Sequence, residues 1–217
     1  MLKKKELYFS YFFVLSNGYL IINNYQWQDD ILLVPMGSCS QRNSKTEVKK
    51  PMIQCCYKSP MGLLIISVEK SRLIALEFAR SKFERQNAKC ENRDQKEVQK
   101  DFLILNEVKK QLDLYFKGKL KKFDFLLTIQ GTEFQKKVWK AMLKIPYGKQ
   151  LSYKDIALKI NHSKACRAVG TACNKNKIAI IIPCHRVIGS NGKLGGYATG
   201  LKNKKFLISL ENENSLI

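Results

Sequence analysis

The nine residues from Ile178 to Arg186, I-A-I-I-I-P-C-H-R, constrain this chain more than any other stretch. Five apolar residues, Ile178 to Ile182, stop at Pro183. The run is short and rich in β-branched side chains, so it reads as a buried strand. Pro183 cannot donate to a ladder and should end it. Cys184 and His185 follow at once. That order sets a thiol at the rim of a packed core, beside a titratable base, and a nucleophilic cysteine needs such a base to take its proton. A buried structural cysteine beside a surface histidine is the alternative, and the rest of the chain must decide.

At 217 residues the chain can bury a real core, as one large or two small domains. Its charge is unusual: 39 Lys and Arg against 18 Asp and Glu, a net +21. Residues 130–217 carry 16 basic and 4 acidic residues, whereas residues 81–125 carry 12 and 8. The excess therefore lies in the half that holds Cys184 and suggests a polyanionic partner, most simply nucleic acid. A generally Lys-rich composition accounts for part of it. Seven cysteines, odd in number and irregularly spaced, fit a reducing compartment. With no Cys-x-x-Cys and only His162 and His185, no metal site is expected.

Lys3 to Lys5 precede an apolar, aromatic segment, Leu7 to Ile22. This resembles a signal peptide, but Asn17-Gly18 interrupts it, no small-residue cleavage site follows, and it is too short and broken to span a bilayer. Residues 1–51 are thus read as an unassigned extension, either an extra strand pair or a loosely packed arm. Translation starting at Met52 is a second reading. From Ile53 the pattern is regular. Ile53 to Tyr57, Gly62 to Val68 and Leu73 to Phe78 read as strands of a small antiparallel sheet, with Ser59-Pro60-Met61-Gly62 as a turn. Residues 81–97 read as a charged loop or a poorly packed helix start. Val98, Phe102, Leu105, Val108, Leu112 and Tyr115 recur at helical spacing, a core stripe ending at Gly118.

The second half is helical before the cysteine. Glu133 to Ile145 places Phe134, Val138, Met142 and Leu143 on one side, and Pro146 and Gly148 close it. Ser152-x-x-Asp155 is a capping box opening a short helix. Asn161-His162-Ser163 reads as a turn, with Ser163 capping a second helix from Lys164 to about Cys173. Two short helices joined by a polar turn on a basic background match a helix-turn-helix. The second helix is lined with small residues, including Ala168 and Gly170, and carries Arg167, so it could approach a duplex closely. An ordinary α-hairpin is the alternative. After the cysteine, five glycines fall in the twelve residues Gly189 to Gly200, a loop able to wall a pocket but lacking the features of a phosphate loop. Leu201 to Leu210 reads as a closing helix with Leu201, Phe206, Leu207 and Leu210 apolar. Glu211, at its end, could orient an imidazole as the acid of a Cys–His–acid relay, or be a surface glutamate near a tail.

I-P-C-H-R-V-I-G followed by G-K-L-G-G-Y resembles the active-site signature of the O6-alkylguanine-DNA alkyltransferase family. G-T-E-F-Q-K-K-V-W-K-A-M-L-K-I-P-Y-G-K, L-S-Y-K-D-I-A and R-A-V-G resemble it in the same order and spacing, and Ser59 to Phe78 resembles the start of its N-terminal domain. The likeness covers about residues 53–211. It implies an α+β fold: a small N-terminal antiparallel-sheet domain (52–125) and a mostly helical C-terminal domain (126–217) with a helix-turn-helix and a Cys-bearing short strand or loop.

The resemblance also implies a DNA-repair methyltransferase that moves an alkyl group from O6 of guanine, or O4 of thymine, onto Cys184, once per molecule. His185, acting through a water, and Glu211 would activate the thiol. Tyr153 would assist the leaving guanine, and Asn176 would bridge the helix-turn-helix to the cysteine. Arg167 would replace the flipped nucleotide in the stack. Tyr153, Ala168, Arg186, Tyr197 and Ala198 would complete the DNA-binding set. The implied partner is double-stranded DNA bound by its minor groove, to a cytoplasmic (nuclear in a eukaryote) monomer with no cofactor and no membrane contact. Lys177 stands where the family usually has proline, and Cys166 and Cys173 are unusual in the second helix. A lesion-binding protein that marks alkylated bases without repairing them is the rival reading; relatives of that kind lack the reactive cysteine.

Overall fold

In the computed structural model, residues 13–16, 19–22, 52–79 and 95–215 are described. The chain divides into two units, Met1–Lys50 and Pro51–Ile217. In the first, β1 (Phe13–Ser16) and β2 (Tyr19–Ile22) pair antiparallel, with Phe13 opposite Ile22. The charged stretch from 80 to 94 lies outside the described residues.

The second unit starts with a three-stranded antiparallel sheet of order β3 (Ile53–Ser59), β4 (Gly62–Glu69), β5 (Arg72–Phe78). Leu64, Ile66 and Val68 of β4 are fully buried at a period of two, the spacing that sends alternate side chains to one face. The first hairpin closes through Ser59, whose hydroxyl donates to Gly62 O (2.6 Å) and accepts from Met61 N (3.2 Å). α1 (Gln95–Phe116) lays Leu105, Val108, Leu112 and Tyr115 on this sheet, all buried. It ends as expected at Gly118, in the left-handed region at φ +70°.

The free edge of β5 is not left open. Leu73 exchanges backbone hydrogen bonds with Leu126 and Thr128. Leu76 does the same with Lys177 and Ala179, both bonds 2.8–2.9 Å. Two segments of the second half thus extend the sheet, covering an edge that would otherwise offer unpaired groups. One of them is the segment that leads into Cys184.

α2 (Glu133–Met142) opens on a full capping box, Thr132 with Gln135. It ends three residues short of the expected Ile145, and Leu143, expected on its apolar side, is 39% exposed; Trp139 takes that place, its indole N–H donating to Ala172 O (2.9 Å). β6 (Leu151–Ser152) leads into α3 (Tyr153–Lys159), whose Ser152–Asp155 capping box forms in both directions. α4 (Cys166–Asn174) follows, packed on α3 and α2. Ser163 does not cap it: the cap position is Ala165 and makes no side-chain bond, because the chain turns for two residues longer than expected.

The larger correction concerns Ile178 to Ile182. This run is not a strand. Only Ile178 bridges to β5, and residues 179–181 turn, with Ile180 in the left-handed region at φ +71°. All but the part-buried Ala179 are nevertheless buried, so the run fills the core as a coil rather than a ladder. A 3-10 turn, Cys184–Arg186, follows, and then β7 (Val187–Ile188), parallel to β6. α5 (Leu201–Ser215) is longer than expected, and it buries Lys204, Leu207 and Glu211. Leu201 and Phe206, expected inside, are 49% and 38% exposed. Among the described residues no helix is long and apolar enough to cross a membrane.

Candidate active site

Three supports fix the cysteine. The coil 178–182 is anchored to β5, the 3-10 turn carries Cys184, and the β6–β7 bridge sets the first turn of α3 beside it. Cys184 is 6% exposed. Its sulfur accepts a hydrogen bond from Asn176 Nδ2 (3.3 Å). The same amide donates to Ile182 O (2.9 Å), and its Oδ1 accepts from Ile178 N (2.9 Å). Asn176 leaves the end of α4, so one side chain ties the helix-turn-helix, the coil and the thiol together. Burial pushes the Cys184 thiol above its ordinary value; the Asn176 bond, the nearby Lys204 charge and Tyr197 pull the other way.

His185 is fully buried, with Nε2 2.8 Å from Glu211 Oε1. Burial favours an ionised form poorly, yet the hydrogen bond from His185 and the bonds and charge of Arg186 hold the Glu211 carboxyl down at about 2. An ionised carboxylate only accepts, so Nε2 carries the proton and Nδ1 keeps its lone pair. Nδ1 is buried and has no partner among the described residues. Burial also lowers the His185 pKa, against the pull of Glu211. The imidazole is therefore neutral, with a free basic nitrogen inside the site.

Glu211 is not at a helix end near a tail; it lies within α5 and is 1% exposed. Five donors converge on it. Oε1 accepts from His185, from Tyr115 Oη (2.7 Å) and from Arg186 Nη2 (2.9 Å). Oε2 accepts from Arg186 Nε (2.9 Å) and Gly148 N (3.1 Å).

Arg186, expected to contact DNA, is 8% exposed and is committed here. Its Nη1 donates to Ile145 O (2.6 Å), and its guanidinium lies 5.8 Å from the Tyr147 ring centroid. The bidentate geometry suits a buried ion pair, and it turns Nε and both terminal nitrogens towards protein acceptors.

Tyr153 is half-buried at the start of α3, and burial, with Cys173 and Cys184 nearby, raises its phenol to about 12. Gly195 passes directly over its hydroxyl: a Cβ there would sit 2.8 Å from Tyr153 Oη. The Tyr197 hydroxyl is buried beside the Cys184 sulfur, without a hydrogen bond of full geometry. Arg167 and Ala168 are exposed on α4, and Ala198 is exposed in the glycine-rich loop. The structure thus gathers buried Cys184, His185 and Glu211 with part-buried Asn176, Tyr153 and Tyr197 into one cluster, with Arg167, Ala168 and Ala198 at the surface.

Two further members escaped the sequence reading. Tyr115 looked like one more core residue of an apolar stripe. Lys204 is fully buried, and its Nζ donates to Val187 O (2.6 Å) and to Leu194 O, tying the strand before the glycine-rich loop to the middle of that loop. Its only legible signal was a lysine on the same helical face as Leu207 and Glu211.

The sequence model of the 6-O-methylguanine DNA methyltransferase DNA-binding domain matches residues 133–213, and that of the ribonuclease-like domain of the same protein matches residues 52–129. A methylated-DNA–protein-cysteine methyltransferase of Methanosarcina mazei is 51% identical over 159 residues, 72% of this chain and 95% of that protein. Its counterpart in Methanosarcina barkeri is 46% identical over 161 residues, with the same coverage of both chains. The crystal structure of Mycobacterium tuberculosis OGT in complex with DNA superposes with a TM-score of 0.63 at 40% identity, covering 73% of this chain and 92% of that one.

Proposed function

The chain belongs to the 6-O-methylguanine DNA methyltransferase family, and from that premise we propose that it repairs alkylated DNA by moving the alkyl group onto its own Cys184. The substrate is O6-alkylguanine in double-stranded DNA, with O4-alkylthymine as a second lesion of the same type. The observation that carries the reading is a buried thiol on a rigid turn, hydrogen-bonded by Asn176, beside a neutral imidazole whose free nitrogen is unpartnered and whose other nitrogen is held by a carboxylate.

The target base must leave the stack to reach a sulfur that is 6% exposed. Arg167, exposed among small residues of α4, fills the gap from the minor-groove side. Exposed lysines of the two short helices and the turn between them, Lys154, Lys159, Lys164 and Lys175 among them, meet phosphates. The flipped base stands between Tyr153 and the Tyr197–Ala198 wall.

The thiol must ionise as it reacts, because burial opposes a resting thiolate. Its proton passes through a water to Nδ1 of His185, and Glu211 stabilises the imidazolium that forms. Sulfur attacks the alkyl carbon in line. The S–C bond forms as the C–O bond breaks, and the guanine leaves as its oxyanion form. Tyr153, still a phenol at neutral pH, donates to that departing base.

The product on Cys184 is a thioether. It has no leaving group that would regenerate the thiol, so each molecule acts once, as a monomer and without a cofactor. The test is intact-protein mass spectrometry after incubation with duplex DNA containing O6-methylguanine. A stoichiometric gain of one methylene, mapped to Cys184 and absent in Cys184→Ala, is expected. Tight lesion binding with no gain in mass would overturn transfer in favour of lesion marking.

A further inference from the structure

Tyr115 stands on α1, in the N-terminal half, 96 residues from Glu211 in sequence. It is fully buried, and its ring packs edge-on against Phe116 and Tyr147 and tilted against Phe123. Packing explains the ring but not the hydroxyl, which donates at 2.7 Å to Glu211 Oε1. That is the oxygen on which His185 Nε2 bears. A buried phenol aimed at the acid of a relay is a poor use of an apolar position unless the bond matters, since burying a hydroxyl costs free energy that its partner must offset.

We propose that Tyr115 is a positioning residue of the alkyl-transfer reaction: its hydroxyl fixes Glu211 Oε1 and, through it, sets the basicity of His185. The inference rests on the transfer reading given above. The physical argument is one of sharing. A carboxylate oxygen that accepts from several donors gives each a weaker bond than it would give one. Arg186 neutralises the carboxylate charge and also donates to Oε1. Together, Tyr115 and Arg186 keep Glu211 from making His185 so basic that the imidazole rests protonated and useless as a base. Tyr115 can do so at every working pH, because burial and the facing Glu211 hold its own pKa well above the ordinary range.

The titratable and charged groups around His185, its partner Glu211 and the neighbouring thiol come from five elements. They are Tyr115 from α1, Tyr147 from the loop after α2, Cys184 and Arg186 from its own turn, Tyr197 from the glycine-rich loop, and Lys204 and Glu211 from α5. Among the described residues, none but Tyr115 reaches the relay from the N-terminal half.

The chain has two histidines, so a protein labelled with 15N-histidine gives one signal set from His185 and one from the exposed His162 as control. In Tyr115→Phe the ring and its packing stay and only the hydroxyl goes. The expected result is a rise of the His185 titration midpoint by roughly 0.5–1 pH unit, with His162 unchanged. The acid limb of the pH–rate profile for methyl transfer should move up by the same amount, slowing transfer about three- to tenfold below that limb. Lesion-DNA affinity, measured in a Cys184→Ala background, should not change.

Installing 3-fluorotyrosine at position 115 makes the phenol a stronger donor and should move both midpoints the other way. A Tyr115→Phe protein that is folded yet shows wild-type His185 titration and acid limb overturns the proposal. If Tyr115→Phe does not fold, the fluorotyrosine protein decides, and unmoved midpoints there overturn it. Failure of the wild type to gain a methylene would refute the transfer reading, while the His185 titration would still decide whether Tyr115 tunes it.

Discussion

Replacing Glu211 by glutamine tests the energetics and the chemistry of the site together. The carboxyl is held at about 2, against an ordinary value of 4.5, by the hydrogen bond from His185 and the bonds and charge of Arg186, which outweigh the opposing effect of burial. A depressed carboxyl contributes stability that is fully present above the unfolded value of 4.5 and is lost as pH falls through the folded value near 2. At about 1.4 kcal/mol per pH unit the contribution is about 3 kcal/mol at neutral pH. Loss of the charge also strands Arg186, 8% exposed, without its counter-ion. Breaking a buried pair from one side costs about 3–5 kcal/mol, which agrees in size.

The assay is urea unfolding of the wild type and Glu211→Gln at pH 7 and at steps down to about pH 2.5. At pH 7 the variant should be less stable by about 3 kcal/mol, a fall in Tm of about 6–12 °C for a unit of this size. The gap should narrow between pH 4.5 and 2 as the wild-type carboxyl takes up its proton. The amide can also donate to His185 Nε2, which favours the tautomer with the proton on Nδ1, where no base is then left. Methyl transfer should fall by about 10²–10⁴-fold. A variant with wild-type stability at pH 7, or a gap that is constant down to pH 2.5, would refute the reasoning.

Asn176→Ala removes the donors to Ile182 O and Cys184 Sγ and the acceptor for Ile178 N. It should cost about 2 kcal/mol by thermal unfolding, and it should slow Cys184 alkylation by O6-methylguanine DNA more than that loss of stability explains. Gly195→Ala meets both a left-handed backbone at φ +63° and a Cβ 2.8 Å from Tyr153 Oη. It should cost about 1–2 kcal/mol and slow methyl transfer in the mass assay.

What the sequence hid follows from where polar groups are buried. The three strands and α1 were legible because their buried faces are apolar at periods of two and of three to four. α5 was misread because its buried stripe is Lys204, Leu207 and Glu211, at helical spacing but with two charges in three. An apolar periodicity sees only Leu207 there and recruits Leu201 and Phe206, which lie half-exposed, to complete the face. The charges are tolerated because Lys204 is neutralised by carbonyl dipoles and Glu211 by five donors, partners that no local pattern announces.

Arg186 failed in the same way. The family resemblance set it among the DNA contacts, and only the fold reveals its pairing with a glutamate 25 residues on. Ile178 to Ile182 failed differently. Apolar composition correctly predicted burial, but the ladder was not needed, because Asn176 supplies side-chain bonds to Ile178 N and Ile182 O and lets the chain turn between them. The cysteine sits at the end of a coil so that the asparagine can reach its sulfur. A regular strand through Ile182 would have spent those backbone groups on a neighbouring strand and left Asn176 with no hold on the thiol.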